Sequence, residues 1–179
     1  MTEKPQSIAP FYEGWRLTNE RLVQKIGSLT PEQLALRPAP DLWPIWATAG
    51  HLAGARVYWL CGILKEPGAR DTPFPEPLGD GWEDDPNQPR RADELVLALE
   101  STWKVVQGCL ERWTYEMLQQ EFRREFDGNT QIHTRQSVLM RLITHDAVHV
   151  GEISQTLGMN GISEPDLWTG RGRTLTAPA

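Results

Sequence analysis

Two of the four histidines, His145 and His149, are four residues apart. On an α-helix that spacing puts their rings about 40° apart in azimuth and about 6 Å apart along the axis, close enough for both imidazoles to grip one ion. The same spacing also arises between idle surface neighbours, so position on the helix matters. On a helical wheel Val138, Leu139, Leu142, Val150, Ile153 and Leu157 fill one apolar arc. The two histidines stand at its margin, with Glu152 and Arg141 just beyond. A pair at such a border faces a cleft between helices, where an ion keeps an open coordination position. His51 lies in an earlier helical stretch among Ala47, Ala49, Gly50, Ala53, Gly54 and Ala55, on the side shared with Tyr58. Those small residues allow close helix approach or leave space for a ligand, so a third imidazole can be delivered. Three neutral imidazoles would leave a divalent ion's charge intact, so that a coordinated water or thiol loses its proton more readily and a carbonyl is polarised.

Two carboxylates accompany the pair. Glu152, one turn beyond His149, is a candidate to orient a ligand or act as a base. Asp146 falls inside the apolar arc, where an unpaired charge is costly. It requires a partner, either an arginine of the first helix or a ligand imidazole N–H. A plain salt bridge is an equally good reading of both.

Elements that would position these residues follow from periodicity and punctuation. A first helix is expected from about Phe11 to Ile26. A short one opens at Thr30-Pro31, where a hydroxyl cap and a first-turn proline suit the orphan N–H groups. A long second helix spans about Pro44 to Lys65, a third about Ala92 to Tyr115, and a fourth about Thr134 to Leu157. Residues 66–91, rich in Pro, Gly and acidic side chains, form a long loop. Asp127-Gly128 is a turn signal that makes a small hairpin possible within residues 117–133. Residues after about 159 read as a loosely held tail. Trp15, Trp46, Trp59, Trp103 and Trp113 fall at helical spacings and belong to the core, whereas Trp43 and Trp82, in or beside loops, are the pocket candidates. Tyr58 and Arg141 join that pocket list beside the histidines. Arg171 and Arg173 read as solvated tail charges. Four long helices in 179 residues argue for one all-α domain, an antiparallel bundle with a Pro-rich loop between its second and third helices.

Composition narrows the partners. Eighteen Lys and Arg against 24 Asp and Glu give a net charge of −6, the wrong sign for binding through phosphate neutralisation, so no nucleic acid is expected. The longest apolar run, 57–64, falls far short of the ~20 residues of a membrane helix. Met1 to Pro10 has no apolar stretch, so no secretory leader is expected and the cytoplasm is the expected location. Cys61 and Cys109, far apart and in no metal-ligand pattern, read as reduced buried thiols.

Three strings together resemble the DinB-like (DinB/YfiT) superfamily. They are Leu29-Thr30-Pro31-Glu32-Gln33-Leu34, Trp43 placed eight residues before His51-Leu52, and His145-Asp146-Ala147-Val148-His149-Val150-Gly151-Glu152-Ile153. The resemblance covers about Phe11 to Leu157 and implies an up-down-down-up four-helix bundle. It implies that His51, His145 and His149 bind a divalent ion, usually zinc or nickel, and leaves His133 as an exposed loop residue. Val148 and Val150 depart from the His and Arg common there, which alters the rim and leaves the triad intact. Relatives with assigned activity imply a metal-dependent S-transferase that uses a low-molecular-weight thiol on an unidentified small substrate, with a homodimer as the expected assembly. Metal-assisted hydrolysis, a non-catalytic stress-related metal binder, and a purely structural bundle stand as the other readings.

Overall fold

The computed structural model describes residues 6–79, 85 and 87–172. Trp82 and Arg173 lie outside the described residues. The chain is mostly helical, with five α-helices and one two-stranded hairpin, so the all-α expectation is modified by a small sheet.

A 3₁₀ turn at Ala9–Tyr12, with Pro10 at its start, leads into α1, Glu13–Gly27. Trp15, Asn19, Leu22 and Ile26 recur every three or four residues on its buried face. The single turn α2, Pro31–Leu34, has the cap its sequence implies. Thr30 accepts from the Gln33 N–H, and the Gln33 side chain accepts from the Thr30 N–H. α3, Ile45–Val57, is buried almost all round because alanines and glycines let neighbours close in. Its α-helical geometry ends at Val57, and Tyr58–Ile63 form a π-helical turn in place of the uninterrupted helix to Lys65. Lys65 then takes a positive φ of 60°.

α4, Ala92–Arg112, ends before the expected Tyr115 because Trp113 turns extended and is fully buried. The hairpin then forms in the connector. β1, Glu121–Phe126, pairs antiparallel with β2, Asn129–Thr134, in the register Glu121 to Thr134 through Phe126 to Asn129. Both turn residues have positive φ, 50° at Asp127 and 70° at Gly128, as a two-residue primed turn requires. Thr134 ends β2 and caps α5, Arg135–Met159, by accepting from the Ser137 N–H.

In space α1 packs on α4, α4 on α3, and α3 on α5. Among the described residues no helix is long and apolar enough to cross a membrane. After α5 the chain runs back along α1: Lys25 donates to Ser163, Arg21 pairs with Asp166, and Arg171 donates to the Gly14 carbonyl at 3.1 Å.

Candidate metal centre

α3 and α5 bring His51, His145 and His149 together. His145 Nε2 lies 3.0 Å from His51 Nε2 and 3.2 Å from His149 Nε2. One ligand atom from each ring can be chosen so that all three lie within 4.8 Å of one another. Imidazole nitrogens held about 2 Å from a zinc at tetrahedral angles would be about 3.3 Å apart, close to the two measured separations. His133 belongs to neither α3 nor α5: it sits half-buried in β2, edge-on to Trp59 at 5.0 Å between ring centres. It is therefore a strand residue packed against an aromatic ring and not an exposed loop histidine.

Proton accounting favours a cation at the convergence point. His149 Nδ1 is 2.6 Å from Glu152 Oε2. An ionised carboxylate only accepts, so Nδ1 carries the proton and His149 Nε2 presents a lone pair to the cluster. His145 Nε2 faces both of the other rings and can donate to only one, while its Nδ1 is buried with no hydrogen-bond partner among the described residues. One proton on His145 Nε2 thus serves only one of its two neighbours, whereas an ion at the convergence point takes a lone pair from each ring. Burial first, then the rings of His149 and His51 and the charges of Arg56 and Arg141, push His145 down to about 3. Its ring stays neutral at physiological pH, which is the form that binds metal.

Asp146, between the two histidines on α5, is directed into the core and is 2% exposed. Its Oδ2 accepts from Trp15 Nε1 of α1 and from Arg56 Nη2 of α3, each at 2.7 Å. The partner is thus an arginine of α3 together with an indole of α1, in place of the expected first-helix arginine or ligand imidazole. Arg56 also donates to Asn19 Oδ1 at 2.8 Å and to the Leu99 carbonyl at 3.3 Å, and lies over the Trp103 ring. One buried polar knot therefore ties α1, α3, α4 and α5 together beside the histidines. Sequence reasoning passed over Arg56, although an arginine inside the apolar run of α3 and an aspartate inside the apolar arc of α5 were a matched pair of signals.

A cleft of about 540 Å³ adjoins the cluster. Pro38, Leu42, Trp43, Ile45 and Ile153 form its apolar walls, and Asp41, His149, Glu152 and Gln155 are among its polar ones. Trp43 also sets its ring 5.1 Å from that of His51, so one indole borders both cleft and cluster. Tyr58 and Arg141 do not line this cleft. The Arg141 guanidinium lies 4.5 Å over the Trp59 ring, and the Tyr58 hydroxyl accepts from Arg124 Nε at 2.8 Å. They belong to a cationic-aromatic stack around Trp59 that also includes His133, whose pKa is lowered by burial and then by Arg141 and Arg124.

A family model described as the DinB superfamily matches residues 14–153. A solved structure of a DinB-like protein from Bacillus cereus ATCC 10987 is similar over 92% of this chain and 100% of that one, with a TM-score of 0.68 and 22% sequence identity. At that identity the likeness carries the fold alone. A search of curated proteins gives no match.

Proposed function

The chain belongs to the DinB superfamily, and from that premise we propose that His51, His145 and His149 hold a divalent ion, zinc or nickel, at which a low-molecular-weight thiol is activated for transfer to a small electrophile. The observation that carries this reading is the convergence of three ring nitrogens from two helices, one with its tautomer set by Glu152. A divalent ion supplies Lewis acidity, which favours ionisation of a thiol or water presented to it. The rest falls to the chain's own residues. Glu152 keeps the proton on His149 Nδ1, and this engagement makes it an orienting group in preference to the base that hydrolysis needs. Trp43 and its apolar neighbours shield the cleft wall from water. Cys61 and Cys109 are poorly suited as nucleophiles, because both are buried and burial pushes Cys61 up to about 11 and Cys109 up to about 12. This favours a thiol brought by a small molecule. The same membership, with α1 on α4, α4 on α3 and α3 on α5, supports the up-down-down-up antiparallel bundle.

Metal analysis of untagged protein after incubation with zinc or nickel should give about one equivalent per chain. Loaded protein should then accelerate attack of small thiols on an aryl halide. Metal content near zero would sink the site. Full loading with turnover no greater than the triple histidine variant would sink the transferase reading and leave a binder.

A further inference from the structure

The cleft beside the histidines has a chemical character of its own. Its described lining includes two carboxylates, Asp41 and Glu152, and neither lysine nor arginine. Hydroxyl donors that could receive an anion are already committed. Thr48 Oγ1 donates to the Pro44 carbonyl at 3.3 Å, and Thr156 Oγ1 to the Glu152 carbonyl at 2.8 Å. Arg37, in the adjoining loop, gives an N–H to the Leu42 carbonyl at 2.6 Å and does not line the cleft. The guanidinium groups of Arg124 and Arg141 are stacked over Trp59 and are not lining residues. What the cleft presents is a carboxylate at Asp41, an indole two residues on that is 37% exposed, and apolar walls leading to His149. Carboxylates and indole faces both favour a cation, and a partly desolvated ammonium gains from each.

We propose that this cleft is a subsite for a ligand carrying an amine or other cationic group on an apolar body, seated between the Asp41 carboxylate and the Trp43 indole while its donor atom reaches the histidines. The inference rests on the metal reading above and deepens it by giving the substrate a charge and a shape. Glu152 adds negative potential on the α5 side while engaged with His149. Among the described lining residues an anionic ligand of the same length would meet two carboxylates, with the Gln155 amide and the Trp43 indole N–H as side-chain donors, so the discrimination is repulsive as well as attractive.

The test uses full-length protein loaded with cobalt(II), whose visible absorption reports its ligands. Three rigid aryl thiols serve as probes: (4-mercaptophenyl)methanamine, 4-methylbenzenethiol and (4-mercaptophenyl)acetate. Their rings prevent the distal group from reaching the ion that takes the sulfur. Sulfur-to-cobalt absorption gives each affinity. The cationic thiol should bind about tenfold more tightly than the neutral one, and the anionic thiol more weakly than both. Asp41→Asn should collapse the lead of the cationic probe, and Trp43→Leu should reduce it. Equal affinities for the three probes, or a preference that survives Asp41→Asn, would overturn the inference. Absence of cobalt bands before any thiol is added would instead overturn the metal reading on which it stands.

Discussion

Glu152 governs what His149 can offer, because a carboxylate 2.6 Å away accepts the hydrogen bond of Nδ1–H and turns the lone pair at Nε2 inward. Glu152→Gln should lower metal affinity about 10- to 100-fold in a chelator competition without abolishing it. His51→Ala, His145→Ala and His149→Ala should each abolish tight binding, and His133→Ala should not. Equal losses from all four would mean that the triad is misassigned. His145 gives the metal-free protein a pH dependence of known sign. The unfolded chain takes up a proton near 6.5 and the folded ring only near 3, so the unfolded state binds more protons in between. Metal-free protein should therefore lose stability as pH falls from about 6.5 towards 3. Melts of metal-free protein at neutral and mildly acid pH should show that slope, and His145→Gln should flatten it. At this scale the pair on α5 was legible from spacing and from its place at the edge of the apolar arc. Assigning His51 needed the resemblance, since spacing within one helix says nothing about which distant residue arrives.

Between elements, the link that matters is Arg56 to Asp146. Both side chains are all but inaccessible, and each lies within a few residues of a histidine of the cluster on its own helix. Removing one partner leaves the other charged and buried, so Asp146→Ala or Arg56→Ala should cost about 3–5 kcal/mol in urea denaturation. The double change Arg56→Met with Asp146→Leu should cost less than the two single losses combined, because it removes both charges at once. Asp146 illustrates how far patterning goes. Its position in the apolar arc announced a buried partner, while the identity of that partner depended on which helices pack together. Element boundaries divide in the same way. Thr30-Pro31 and Asp127-Gly128 declare a cap and a turn through local chemistry, and both form. The π-helical turn at Tyr58–Ile63 had no such marker. It lies in a continuous apolar run, and a change in turn size there answers to packing. At Gly62 the 77–78 segment approaches so closely that a methyl group would meet Leu78 Cδ2 at 2.7 Å.

Across the molecule, the histidine cluster has a counterpart at the far end of α5. Glu66, with a side chain 9% exposed, accepts from Arg112 at 2.8 Å, Arg135 at 2.9 Å and the Trp113 indole at 3.0 Å. It thereby joins the segment after α3 to the end of α4 and the start of α5. Burial pushes its carboxyl up, but the three donors outweigh burial and the net shift is downward. A lowered pKa means stability that is present above 4.5 and lost as pH falls through the folded value. Glu66→Gln should therefore cost about 2–3 kcal/mol at neutral pH, with the gap to wild type closing in acid denaturation curves. The sequence offered Glu66 as one acidic residue in a Pro-rich loop, and nothing local marks it as a tie between three elements. Arg135 and His149 are fourteen positions apart on one helix, about 21 Å along its axis. Ion capture should accordingly slow amide deuterium uptake through the first turns of α3 and the second half of α5, while the backbone around Glu66, Trp113 and Arg135 exchanges at an unaltered pace.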